Sequence, residues 1–200
     1  GILNGLRPGS LVIDMGSTAV TKTRGFAALV EAAGGAYVDA PVSGGTLGAQ
    51  GGNLTIMAGG EEKALERARP VLEVLGTRLT HVGPAGTGQV AKAANQVIVG
   101  LSIGAVAEAL MLAAHAGADT AKVREALMGG FADSRILEVH GQRIINGAFK
   151  PGARAQTQLK DLVQALELAA ELGIKMPATD LSRELFDKLV AMDGEELDHS

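Results

Sequence analysis

The sequence has no cysteine and no tryptophan, and aromatic residues make up only 2% of its 200 positions. Without cysteine there can be no disulfide, thiol nucleophile or cysteine-ligated metal, and a reducing, cytoplasmic location is the expectation. The shortage of aromatics argues against the stacking platforms that hold single-stranded nucleic acid. Charge of one sign is also lacking. The net charge is −4 with acids spread along the chain, so there is no basic footprint for nucleic acid or an anionic membrane surface. The longest uncharged run that is also strongly apolar, 93–107, is shorter than the roughly 20 residues a membrane span needs, and no membrane partner is expected. The four histidines, at 81, 115, 140 and 199, form no HxxxH pair and no evident carboxylate cluster, so no metal site is expected. The one GxSxG spelling, GLSIG at 100–104, falls inside the long helical run and not at the strand-to-helix turn of an elbow, and a GxxxxGK[ST] loop and a GxGxxG turn are both missing.

What remains is aliphatic: 46% apolar residues, built mainly from Ala, Val, Leu and Ile, with 28 glycines. Short apolar runs at 10–14, 36–39, 54–58 and 78–82 read as strands, with helices at 21–33 and 61–75 between them. This rhythm predicts a parallel or mixed sheet of about four strands covered by helices. After Gly83 the strand pattern stops. Helices are predicted at about 85–116, 120–128, 133–145, 155–173 and 177–192, punctuated by glycines and prolines. The expected division is an α/β domain over 1–83 and an all-helical domain over 84–200. The acidic tail DGEELDHS is expected to fray. The chain also starts in what reads as the middle of a fold, as a fragment would.

Three loops and one helix carry candidate chemistry. The loop DMGST follows the first strand, where open α/β sheets bind ligands; its Ser17 and Thr18 could equally cap the next helix. The loop DAPVSGGTLGAQGG offers, at Ser43, Gly44 and Gly45, a hydroxyl and backbone N–H groups suited to an anion, although Ser-Gly-Gly also describes a plain flexible loop. The third is GPAGTGQVAKAANQ, a glycine turn opening a long helix whose start favours negative charge. Lys92 sits in an otherwise apolar pattern, so burial of that helix would desolvate it and suit proton exchange near neutral pH. A lone lysine more often snorkels to the surface. Asn95, three residues on, shares its helix face. Lys160 and Asp161 read as an ordinary solvated pair early in an apolar helix.

Four stretches in this order, VIDMGST, DAPVSGGTLGAQGGNLTIMAGG, GPAGTGQVAKAANQ and FKPGARAQTQLKDL, resemble the β-hydroxyacid dehydrogenase family. That group includes 3-hydroxyisobutyrate dehydrogenase, tartronate semialdehyde reductase and, more distantly, 6-phosphogluconate dehydrogenase. The resemblance runs from about Leu6 to Leu189. It implies the second half of a Rossmann-type sheet followed by a 6-phosphogluconate-dehydrogenase-like helical domain. It implies NAD or NADP as cofactor, a small carboxylate substrate and a homodimer or higher homo-oligomer. Lys92 would be the proton donor and acceptor, with Asn95, and with Gln96 sharing its work, orienting substrate. Ser43, Gly44 and Gly45 would bind the substrate carboxylate. Ser17, or Thr18 beside it, would contact the nicotinamide cofactor, as would Lys160, with Asp161 supporting that helix start.

Two departures stand out: the family's amino-terminal GxGxxG-type turn is absent, and PGARA lacks the aromatic that usually follows PG. The competing readings are a non-catalytic binding module that keeps the fold, and an inactive fragment.

Overall fold

The computed structural model describes every residue from Gly1 to Ser200. The chain divides into two compact units, Gly1–Asn95 with Glu167–Gly173, and Gln96–Leu166 with Ile174–Ser200.

The first unit opens with a short 3₁₀ turn, Ile2–Gly5, and then alternates strands and helices: β1 (Leu11–Asp14), α1 (Val20–Ala32), β2 (Ala36–Asp39), β3 (Val42–Ser43), α2 (Gly45–Gln50), β4 (Leu54–Gly60), α3 (Glu62–Leu75) and β5 (Gly76–Gly83). β1 and β2 run parallel, Leu11 opposite Ala36 and Asp14 opposite Asp39. β4 is the spine of the sheet, with β5 parallel to it on one side. On its other side it meets β2 and β3 in succession, both antiparallel. The sheet is therefore mixed, with five strands where the sequence suggests about four. The extra strand, β3, has only two residues and lies just past Pro41, which cannot donate to a ladder; the Pro41 carbonyl instead accepts from Met57 N–H at 3.0 Å. The glycine-rich loop after it contains the six-residue α2, which a loop assignment misses.

The core of this unit is aliphatic, as the composition requires. Val38, Ala40, Ile56 and Ala58 of the sheet region pack with Ala64, Leu65, Ala68 and Leu72, a single stripe of α3. Burying Leu65 and Leu72 contributes about 1.5–3 kcal/mol each. The other face of α3 exposes Val71 and Val74. Ala27 and Val30 of α1 pack with Tyr37 in a second cluster.

The 29-residue α4 (Thr87–His115) continues from the first unit into the second. There it is followed by α5 (Thr120–Leu127), α6 (Arg135–Asn146), α7 (Ala155–Glu171), α8 (Pro177–Leu189) and a π turn over Val190–Gly194. The caps follow from sequence: Asp119 accepts from Ala121 N–H at 2.9 Å, Ser134 accepts from Leu137 N–H at 3.0 Å, and Gly147 closes α6 in the left-handed region. Ile103, Ala155, Leu162 and Phe186 form this unit's core.

α4 is too apolar for its own chain to cover it fully: Ile98, Met111 and Leu112 are 65%, 57% and 71% exposed. Two expectations need correction here. By length and composition α4 is long and apolar enough to span a bilayer, because Lys92 and Glu108 only interrupt an apolar helix longer than the uncharged run between them. The tail does not fray. Asp198 and His199 are buried, and the tail pairs back, with His199 N–H donating to Ala153 O at 3.0 Å.

Candidate active site

The first unit's site starts at a buried carboxylate. Asp14 and Asp39 end two parallel strands in register, so the loops after them leave the same edge of the sheet. Asp39 is fully buried. Its Oδ1 accepts from Gly86 N–H at 2.7 Å and its Oδ2 from Gln89 N–H at 2.9 Å. Gly86 immediately precedes α4 and Gln89 lies in its first turn, so neither donor has a partner inside the helix. The anion favoured by the helix start is thus supplied by the protein itself.

This also explains Gly88 of GTG and Gly59 of β4. A Cβ on Gly88 would collide with the Met57 carbonyl and lie 2.7 Å from Asp39 Oδ2, and one on Gly59 would lie 2.6 Å from Asp39 Oδ1. The close approach they permit is of helix to strand.

One turn further along, Lys92 is half-buried, and its Nζ donates to the Val42 carbonyl at 2.8 Å. It does not simply reach out to solvent. Val42 immediately precedes Ser43, Gly44 and Gly45, so α4 holds its lysine against the strand that carries the Ser-Gly-Gly turn. Gly44 and Gly45 both have positive φ, 137° and 60°, conformations that residues with a Cβ rarely adopt. The turn is a defined bend from β3 into α2. Asn95 is half-buried one turn beyond Lys92.

Ser17 and Thr18 follow β1, and α1 begins after Ala19 with no side-chain cap. Capping therefore does not account for the two hydroxyls. The loop is instead fastened by Gln89, which sequence reading passed over. Thr18 N–H donates to Gln89 Oε1 at 3.1 Å and Gln89 Nε2 donates to the Gly16 carbonyl at 2.7 Å. Asp14 adds a local bond, Gly16 N–H to Oδ1 at 3.0 Å, and accepts from the Tyr37 hydroxyl at 2.8 Å. Burial first, and then the Asp14 carboxylate, push the Tyr37 hydroxyl well above its ordinary pKa. The available signal for Gln89 was its spacing, one turn before Lys92 in QVAK.

Within the second unit, Gln96 is buried and its Nε2 donates to Gln158 Oε1 at 3.0 Å and to Asp161 Oδ2 at 2.6 Å. Gln158 returns a bond to the Gln96 carbonyl at 2.8 Å. Both amide hydrogens of Gln96 thus tie α4 to α7, a structural task. Asp161 is buried at 4% side-chain exposure, while Lys160, 2.7 Å from it, is 44% exposed; the pair is only half solvated.

Two histidines do meet a carboxylate, contrary to the sequence reading. Ligand atoms of His140, Asp198 and His199 lie within 4.8 Å of one another. Asp198 is already the acceptor for the Arg143 guanidinium, for Gly152 N–H at 2.7 Å and for the Ser200 hydroxyl at 2.7 Å. With its lone pairs so engaged and a cation on it, the cluster is a clamp on the tail.

A mixed sheet with glycine-rich and hydroxyl-bearing loops at its strand ends, continuing into a helical unit, defines an α/β class of protein in which ligands bind outside the strand ends. The comparisons make this specific. Residues 1–83 match the model of the NAD binding domain of 6-phosphogluconate dehydrogenase, and residues 86–200 that of the NAD-binding domain of NADP-dependent 3-hydroxyisobutyrate dehydrogenase. The chain belongs to the β-hydroxyacid dehydrogenase family.

It is 50% identical over 192 residues to 2-hydroxy-3-oxopropionate reductase of Escherichia coli, covering 96% of this chain and 66% of that protein. It is 35% identical to 2-(hydroxymethyl)glutarate dehydrogenase of Eubacterium barkeri, covering 94% and 62%. Among solved structures, 3-hydroxyisobutyrate dehydrogenase of Mycobacterium tuberculosis, determined with L-serine, superimposes with a TM-score of 0.89 at 34% identity, covering 98% of this chain and 70% of that one. The chain thus spans about two thirds of the length of such relatives. The cofactor class that goes with the matched domains is NAD or NADP, and the loop after β1, with a backbone held by Gln89 and two hydroxyls that do not cap α1, could hold part of it.

Proposed function

We propose that this chain is part of an NAD(P)-dependent oxidoreductase that interconverts a small 3-hydroxy carboxylic acid and its semialdehyde, with Lys92 as general acid and base. The observation that carries this reading is Lys92 Nζ held 2.8 Å from the Val42 carbonyl, beside the Ser43-Gly44-Gly45 turn and on a helix anchored by Asp39.

Bound reduced nicotinamide supplies the hydride. The residues of the chain do the rest. Ser43 and the Gly44 and Gly45 amides bind the substrate carboxylate, and Lys92 protonates the carbonyl oxygen as negative charge develops there. Asn95, on the same helix face, orients that oxygen. Fixing the carboxylate lowers the entropic part of the barrier. Ser17 and Thr18 are the cofactor contacts of the first unit, and the family resemblance adds Lys160.

A homodimer or higher homo-oligomer is part of the proposal, supported by the exposed Ile98, Met111 and Leu112 of α4, an apolar surface that a second copy would cover. A monomeric mass for the full-length protein by light scattering would remove that part.

The test uses the full-length gene product with NADH or NADPH, offered 2-hydroxy-3-oxopropionate, methylmalonate semialdehyde and succinic semialdehyde while nicotinamide absorbance is followed. Turnover with one of them is expected. Lys92→Ala should lower kcat by at least about 10²-fold while cofactor still binds; near-normal turnover would end the assignment of Lys92. Ser43→Ala should act mainly on KM for the carboxylate substrate.

A further inference from the structure

We infer that Gln89 is a positioning residue that fastens the cofactor loop to the lysine helix, an inference that rests on the reading just given. Gln89 is 2% exposed, and all of its described partners lie in the first unit. Its backbone N–H donates to Asp39 Oδ2 at 2.9 Å, which fixes where the residue stands. Its side-chain amide then meets the backbone on both sides of Ser17: Oε1 accepts from Thr18 N–H at 3.1 Å, and Nε2 donates to the Gly16 carbonyl at 2.7 Å. The orientation of the amide is settled by its partners, one a donor and the other an acceptor. Only a group that both accepts and donates can close this clasp.

Ser17 is thereby held between two pinned peptide groups, and the pin stands on α4 three residues before Lys92. The loop proposed to touch the nicotinamide and the lysine proposed to move the proton are referred to one rigid helix. Asp39 sets the register of that helix, since it accepts from Gly86 N–H as well. A shift of the first turn of α4 would move loop and lysine together, and loss of the Gln89 amide would uncouple them.

Two substitutions in the full-length protein test this. Gln89→Leu keeps the volume and removes both bonds, leaving a part-buried N–H and a carbonyl without their protein partners. In the cofactor-free protein, amide hydrogen exchange at Thr18 should accelerate at least tenfold relative to wild type. NADH or NADPH binding, followed by fluorescence titration, should weaken roughly tenfold. Gln89→Glu is the sharper probe, because a carboxyl replaces the amide's donor only while protonated. Burial raises the pKa of such a carboxyl. Cofactor affinity of Gln89→Glu should therefore approach wild type at about pH 5 and fall toward that of Gln89→Leu by about pH 8. The ionisable groups around this loop and helix start, Asp14 on β1, Arg24 on α1, Tyr37 and Asp39 on β2 and Lys92 on α4, are common to all three proteins, so the difference between them isolates position 89.

Unchanged Thr18 exchange and unchanged cofactor affinity in Gln89→Leu overturn the inference, as does a Gln89→Glu protein that tracks Gln89→Leu at every pH. Failure of the parent reading looks different: wild-type protein gives no turnover with any semialdehyde, while the exchange measurement still decides the clasp.

Discussion

Two carboxylates are almost completely withdrawn from solvent, Asp39 at 0% and Asp198 at 1% exposure, and they are stabilised by different means. Asp39 is held by two backbone amides at the start of a helix, dipoles whose positions are set by the fold. Asp198 is held by the Arg143 guanidinium together with the amides of Gly152 and Ala153 and by Ser200. A helix start neutralises an anion only if the helix stays where it is, so Asp39 ties the placement of α4, and of Lys92 on it, to the sheet. A side-chain cation can follow its partner, so the Arg143–Asp198 pair fastens a tail without constraining chemistry. The first carboxylate should govern turnover and the second stability.

The largest effect that would break this contrast is on the Asp198 side. Arg143→Leu leaves a buried carboxylate without its cation and should cost about 3–5 kcal/mol in urea unfolding, while Arg143→Leu with Asp198→Asn, which removes the unpaired charge but keeps an acceptor for the Gly152 and Ser200 donors, should recover part of that loss. If the double variant is no more stable than the single, the pair is not the clamp. On the other side, Asp39→Asn keeps the shape but turns one acceptor into a donor facing the Gln89 or Gly86 amide. About 1–3 kcal/mol of stability should go with it, and kcat should fall roughly tenfold with little change in KM for substrate, since Lys92 is displaced rather than removed. An Asp39→Asn enzyme with wild-type kcat would show that the helix start does not depend on this anion for its placement.

The sequence carried much of this, and the reason lies in what is local. Helix and strand positions follow from periodicity, glycine and proline, and α1, α3 and β2 stand close to where the pattern puts them. Lys92 was visible as a lone cation in an apolar helix. What stayed hidden depends on contacts between distant residues. Asp39 reads as a loop opener until Gly86 and Gln89, about fifty positions on, are seen to donate to it. The second glycine of GTG, Gly88, reads as part of a turn at a helix start, and only the fold shows that Met57 and Asp39 leave no room for a Cβ there. Gln96 looks like a second substrate amide in KAANQ, yet Gln158 and Asp161 take its donors. The tail, judged by composition alone, should fray; Arg143 and the Gly152 amide hold it in place.

A smaller effect sharpens the Asp198 side through pH. Burial alone would raise this carboxyl, but hydrogen bonds from His140, Ser200, the Gly152 amide and Arg143 outweigh it and hold the group well below the usual carboxylate range. A depressed folded-state pKa contributes stability that is fully present above the unfolded value of about 3.9 and is lost as pH falls below it. Wild-type unfolding free energy should therefore drop steeply below about pH 4, and Asp198→Asn should flatten that limb. An unchanged acid limb in Asp198→Asn would assign the loss to other carboxylates.

The smallest expected effect lies beside Asp39, at Tyr37. Its hydroxyl donates to Asp14 Oδ2, and Asp14 also receives the Gly16 amide, so this bond is a second, weaker brace on the loop that Gln89 fastens. Tyr37→Phe removes one neutral donor from a carboxylate that is only half-buried and can take up water instead. The cost should be about 1 kcal/mol. Burial, then Asp14, raises the hydroxyl's folded-state pKa above the unfolded value of about 10. Its contribution is thus intact below about pH 10 and declines as pH rises past that point. Wild-type stability should fall above about pH 10 by more than Tyr37→Phe stability does, and the tyrosinate difference spectrum between the two proteins should place the titration of Tyr37 above that of a free tyrosine. Parallel alkaline limbs would mean that the hydroxyl reaches solvent and that Gln89 alone braces the loop.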